Sequence, residues 1–503
     1  MSPLLIVIVV AIGLMWIMLR AFRVQYVIPA AARQLSARGN APAAIHLCER
    51  GLRLWTPLGE RGRFDLRFYY AFLLMETKRF MEAEAQCQAL KVGPHSRSLR
   101  AKASLRLADC LDGQNRTAEA QQERAAVQAV TSNSDNPDLL LERAALLSRQ
   151  SKHAEATEIL QRVLSQAGHS SDATRAEIEV KLALSAWHAG QYPLTLEAAE
   201  TALRRNALNS TLTRVAHNMA GLALTNLNRW EEAILHKETS LALARQEGNP
   251  DKIAETLSQL GNVKLQLGQL NEAMVLANEA LPLSLSGRRM SSLLQAEILQ
   301  AWGRYDDALV ALDSAGRAPG LAIPHLAART QATLALGRAR IFVLKGEVQT
   351  ALEWLGKTTE AFAGDAKLET WAQAERLCAL ALVGDHEGYD EALATLNIQL
   401  DALTEDTTTQ KTGHCACGVA AQTLGEFTVA REHWERYLAL TPCPLDLRRV
   451  WYGIGVAEAA LENPTEARTA WQKASAPGIE SFWTGLAQKR LTELEQSALK
   501  NPA

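Results

Sequence analysis

The chain has 503 residues, 48% of them apolar, so it carries material for a large core and is not disordered as a whole. Lys and Arg number 53 against 55 Asp and Glu, a net charge of −2, which excludes the strongly basic balance of a general nucleic-acid binder. Seven cysteines are too few for a disulfide scaffold, and 30 Gly and 16 Pro amid abundant Ala, Leu, Glu and Gln point to helix rather than to a large β protein.

The first element is an apolar run. Residues from Pro3 to Leu19 carry no charge, and as a helix they reach about 26 Å, the short end of a bilayer span. Trp16 and Arg20 close the run in the manner of an interfacial anchor. Six arginines (Arg20, Arg23, Arg33, Arg38, Arg50 and Arg53) follow it against the single acid Glu49. The positive-inside rule therefore keeps the C-terminal side in the cytoplasm. The expected organisation starts with a membrane-spanning helix at 1–22 and a basic juxtamembrane segment at 23–37. Cleavage of the run as a signal peptide is the alternative, although no basic residue precedes it.

Beyond this segment a phrase recurs: a turn residue, a polar residue, a bulky residue, two spacers and Ala. It starts at Lys78, Ser151, Asn228, Gly268, Gly303, Gly346 and Gly425, with weaker copies at Gly39, near Gly113, at Gly190, near Gly384 and at Glu462. The period is roughly 38 residues. A small residue stands seven positions before the turn, as at Ala71, Ala144, Ala183, Gly221, Gly261, Ala296, Ala339, Gly418 and Gly455. The pattern predicts helical hairpins: the small residue and the Ala face each other across two close helices, and the turn residue ends the first.

Taken together, Gly418, Gly425, Phe427, Ala430, Trp434, Tyr437 and Pro442 resemble the tetratricopeptide repeat, and the likeness extends over about residues 38–476. It implies an all-α, right-handed superhelical solenoid of about twelve hairpins, with first helices lining a concave groove that takes a peptide or a partner helix. Two stretches read as loops where lobes could separate, 281–289 and 401–412. Residues 477–503 form a capping helix and tail. The plan of one N-terminal helix followed by repeats is similar to lipopolysaccharide assembly protein B, but no cysteine follows Cys443 to build that family's terminal zinc module.

The sequence offers no nucleotide-loop, dinucleotide or zinc-protease motif. Cys415 and Cys417 stand two apart on a predicted helix, so their thiols point roughly 200° apart and are expected to be core residues. His433, between Glu432 and Glu435, reads as part of a solvated face. No catalytic residue, cofactor, metal ligand or small-molecule substrate is expected. The groove is expected to expose Asn218, Asn262, Gln266, Glu297 and Arg340 to a protein or peptide partner. The resulting expectation is a membrane-anchored, non-enzymatic scaffold at the cytoplasmic face. A periplasmic or secreted adaptor and a groove enzyme are the alternatives.

Overall fold

A computed structural model describes residues 3–500 except 38, 39, 55–59, 167, 169, 318–323 and 405. The side chains of 3–12, 37, 60–62, 286, 324–329, 359, 360 and 497–500 also lie outside the description. The described chain is 84% helical and has no strand. It forms two compact units, Met1–Ile253 and Ala254–Ala503. Their boundary falls in the first turn of the helix Pro250–Gln266 and coincides with neither expected loop.

The hairpins owe their form to one turn, used repeatedly. Lys78, Asn115, Ser151, Gly190, Asn228, Gly268, Gly303, Gly346, Gly384, Gly425 and Glu462 all have positive φ, between 59° and 83°. At each, the next residue's N–H donates to the carbonyl five positions before it, as Arg79 does to Leu74 at 2.7 Å and Glu426 to Ala421 at 2.8 Å. This is the Schellman bond that satisfies a helix's last carbonyls. First helices are started by side chains: Ser96, Asn136, Ser171, Asn209, Asp365 and Asp406 each accept a backbone N–H of the following turn. Second helices enter straight from the left-handed residue, and Arg79, Arg116, Gln191, Arg229, Gln269, Glu347 and Glu426 cap without a side-chain bond.

The expected small residues are buried where two helices touch. Ala71, Ala183 and Ala339 on first helices and Ala83, Ala156, Ala233, Ala273, Ala308, Ala351 and Ala430 on second helices are wholly inaccessible. A Cβ on Gly418 would stand 2.8 Å from the Trp434 ring, and one on Gly455 would stand 2.4 Å from that of Trp471.

Two sequence expectations are corrected. The stretch 281–289 is mostly helix: Ser284 caps Leu285–Ala301, and Gly287 inside it lies where a Cβ would collide with Ala254. Residues 401–412 likewise belong largely to His386–Ala402 and Thr407–Leu424, with Asp406 as the cap between them. The degenerate turn near Gly113 is centred on Asn115. Gly39 lies outside the described residues.

The apolar run belongs to the helix Pro3–Phe22, which passes through a π-helical turn, Arg23–Val27, into the helix Ile28–Ala37. The side chains of 3–12 lie outside the description. Among the described residues no helix is long and apolar enough to cross a membrane. Segment 23–37 is a packed element: Val24, Ile28 and Ala32 are buried in one core with Ala44, Ile45, Cys48, Leu66 and Tyr70. Within the second unit, the helix Phe482–Lys500 packs on Trp471 and Ala474. Just before it, Ile479 lies against Gly268, and Phe482 lies against Gly303 and Tyr305, so the end of this unit folds back onto its own early turns.

Two measurements check this account. Ser151→Gly and Glu462→Gly remove a left-handed side-chain penalty, so each raises stability by about 1 kcal/mol in chemical denaturation, whereas Ala273→Leu overpacks its hairpin and lowers it by about 1–3 kcal/mol. Deleting residues 1–22 leaves the melting temperature of the first hairpins unchanged. Deleting 1–32, which removes Val24, Ile28 and Ala32, lowers it.

Candidate functional site

Counted back from the left-handed turn residue, several charged side chains lining the hollows of each unit stand at two, six, nine or thirteen positions. Arg149 is two before Ser151, Arg340 six before Gly346, Arg106 nine before Asn115 and Arg449 thirteen before Glu462. Steps of four, three and four mark one face of each first helix.

In the first unit this face builds a hollow of about 500 Å³ across the helices Glu60–Glu76, Arg97–Gly113, Pro137–Arg149 and Asp172–His188. Leu105, Leu141 and Leu184 form apolar wall. Phe68 provides an aromatic floor, with Lys102 at 4.8 Å and Arg106 at 4.7 Å from its ring centroid. Arg106 also lies 5.4 Å from the ring of Phe72. Four cations face the hollow: Lys102, Arg106, Arg149 and Lys181. Only Arg149 is ion-paired, to Asp109 at 2.9 Å; Lys102, Arg106 and Lys181 have no ion-pair partner among the described residues. Burial pulls the Arg106 guanidinium below its usual range, and its Nε has no hydrogen-bond partner. The one acid lining the hollow, Glu142, is pushed above the usual carboxylate range by burial, against the pull of Lys102, Lys181 and Arg149. His153 and His188 stack at 4.7 Å along one side. Unneutralised cations over apolar and aromatic surface suit an acidic chain with apolar side groups.

In the second unit a smaller hollow of about 240 Å³ is lined by Arg340, Glu375, Cys378, Cys415, Tyr437 and Arg449, among others. Arg340 donates from Nε to Glu375 at 2.5 Å. The attraction of Glu375 lifts its guanidinium above the usual range. Glu297, though exposed, sits in a concavity whose desolvation raises its carboxyl, opposed by Arg340.

The five residues expected in the groove therefore divide. Arg340 lines the second-unit hollow, and Glu297 is close enough to feel its charge. Asn262 and Gln266 are half-buried on one face and bond each other at 2.7 Å. Asn218 is corrected. It lies in the first unit and is buried, and its Oδ1 and main-chain carbonyl accept from Lys237 Nζ at 2.8 and 3.2 Å. Its side chain turns toward the second helix. Lys237, wholly buried, occupies the place that Trp434 fills in the later hairpin, beneath Gly221.

His433 is a further correction. It is buried, with its Nδ1 3.2 Å from that of His414. His217 and His236 repeat the arrangement at 3.1 Å in the first unit. Cys415 and Cys417 enter two different core clusters. The nine- and thirteen-position residues, Lys102, Arg106, Lys181, Glu375 and Arg449, were missed because the expected face was set from the small residue alone. The signal was available as charged residues recurring in phase with the turn.

Two predictions follow the geometry. Asn218→Ala removes the side-chain acceptor of the buried Lys237 ammonium and costs about 1–3 kcal/mol in a denaturation curve. Burial, then His414 and Arg436, hold His433 down to about 4. Because the unfolded ring takes its proton near 6.5, stability contributed at neutral pH is lost as pH falls from about 6.5 toward 4. A denaturation series over that window shows a shallower decline for His433→Gln.

Two family models match the chain, both described as tetratricopeptide repeat, over residues 210–286 and 417–480. No curated protein matches. Among solved structures, a Rap protein complexed with competence and sporulation factor is 16% identical, with a TM-score of 0.45 over 75% of this chain and 97% of that one. A human IFIT1 dimer with PPP-AAAA is 15% identical, with a TM-score of 0.46 over 89% and 98%. A tetratricopeptide repeat protein from Parabacteroides merdae is 13% identical, with a TM-score of 0.37 over 56% and 98%. At these TM-scores the structural likenesses carry no argument about ligands.

Proposed function

We propose that this helical repeat protein, which contains tetratricopeptide repeats, is a membrane-anchored scaffold whose first unit holds an acidic segment of a partner protein. The observation that carries the reading is the first-unit hollow. It spans four successive first helices, and Lys102 and Arg106 over Phe68, and Lys181, face it without ion-pair partners among the described residues. An extended chain laid across these helices meets unpaired cations on Arg97–Gly113 and Asp172–His188, with the ion-paired Arg149 and leucines between them. The reading assigns the chain no reaction and no cofactor of its own.

Anchoring is supported by the uncharged run from Pro3 to Leu19 within the helix Pro3–Phe22, and by Arg20 lying 3.5 Å over the Trp16 ring at its end. The arginines that follow favour a cytoplasmic C-terminal side. The likeness of plan to lipopolysaccharide assembly protein B adds an expectation of one anchor.

The test is fluorescence anisotropy with a labelled peptide alternating Glu and Leu. It is expected to bind the full chain, weaken with added salt, and lose at least tenfold in affinity in the Lys102→Glu/Arg106→Glu/Lys181→Glu variant. Equal binding of a Lys-Leu peptide, or tighter binding of an RNA strand, overturns the reading. A C-terminal reporter active in the cytoplasm is expected, and digestion of the C-terminal domain by protease outside intact cells overturns the topology.

A further inference from the structure

The hollow of the second unit has a different character from that of the first. It is half the volume, at about 240 Å³. The end of the unit that carries Arg449 folds back against the unit's own early turns through Ile479 on Gly268 and Phe482 on Gly303. Leu445, on the same helix as Arg449, packs against the core around Leu265 and Leu294. Two guanidinium groups face the space from helices far apart in sequence, Arg340 from Pro324–Lys345 and Arg449 from Pro444–Ala460.

Their charges are met unequally. Arg340 is neutralised by Glu375 at 2.5 Å. Arg449 has no carboxylate within ion-pair distance among the described residues, and its Nε is buried without a hydrogen-bond partner. The groups that act on it are the Cys415 and Cys378 thiols, the Tyr437 phenol and the like charge of Arg340. Burial pushes both thiols and the phenol upward, so all three are uncharged near neutral pH. Asp446, also lining the hollow, stands one helical turn from Arg449 and makes no ion pair with it. The guanidinium carbon lies over the Trp483 ring, 5.4 Å from its centroid. A guanidinium held among neutral thiols, a phenol and a second guanidinium lacks the anion that would offset its desolvation.

We propose that the second-unit hollow is a binding site for a small oxyanion, received by Arg449 with Arg340 beside it and the Tyr437 hydroxyl as a further donor. A planar guanidinium binds a phosphoryl group or a carboxylate through two parallel N–H bonds. The volume suits inorganic phosphate or a short dicarboxylate rather than a polypeptide. The site departs from the expectation that the chain takes only protein partners. It is independent of the acidic-segment reading, which concerns the other unit.

The test is calorimetric titration of the detergent-solubilised full chain with potassium phosphate and, separately, with sodium succinate, against chloride at equal ionic strength. One saturable site is expected for at least one of them, weakened at least tenfold in Arg449→Gln and retained in the Lys102→Glu/Arg106→Glu/Lys181→Glu variant. Phosphate alone binding assigns a phosphoryl ligand, and succinate alone assigns a carboxylate. No saturable binding of either, or unchanged affinity in Arg449→Gln, overturns the proposal. If Arg449→Gln does not fold, modification of the native chain by phenylglyoxal decides. Protection of Arg449 by the bound anion, read by peptide mass spectrometry, supports the site, and equal labelling with and without it overturns it.

Discussion

The closest approach of two helices within each hairpin sets the rest of the architecture. At Gly221, Gly418 and Gly455 an added Cβ would come within 3 Å of a side chain from the second helix of the same hairpin: Lys237, Trp434 and Trp471 respectively. Where the position is Ala, as at Ala71, Ala183 and Ala339, that methyl is wholly buried. A pair of helices this close cannot be joined by a wandering loop. A single left-handed residue and one carbonyl–amide bond across the turn bring the chain around within the space allowed. The small contact and the tight turn thus require each other, and together they fix which side of every first helix is left to face a hollow.

That coupling explains how much could be read in advance. The turn phrase located Lys78, Ser151, Asn228, Gly268 and the others, because left-handed backbone and an Ala at the contact are both written locally in residue type. Near Gly113 the left-handed residue is Asn115, because Asn also tolerates positive φ. Residues 281–289 and 401–412 were misread for a related reason. Their Ser, Gly, Asp and Thr content suggests loop, yet Ser284 and Asp406 are helix caps, and the same residue types serve both purposes.

The hollows were less legible. Arg340 and Glu297 lie where the phase of the small residue places them, but Asn218 turns to the buried Lys237 ammonium of the facing helix. Whether a polar residue faces solvent or a buried lysine depends on what the second helix presents, and no local pattern states that. His433 illustrates the same point. Its acidic neighbours suggest a wet face, but its partner is His414, nineteen residues away on the facing helix. Charge balance within a hollow, such as the unmet Arg449, is a property of several helices at once.

The return of the second unit's end to its own early turns bears on descent. An open array can lengthen or shorten by whole repeats, because each added hairpin needs only its neighbours. Ile479 reaches Gly268, and Phe482 reaches Gly303, only at the present number of hairpins between them. Duplication or loss of one in that interval would carry the ends out of register and uncover both glycine turns at once. The repeat count of this unit is accordingly held fixed by geometry, and its hairpins are left to diverge by substitution alone.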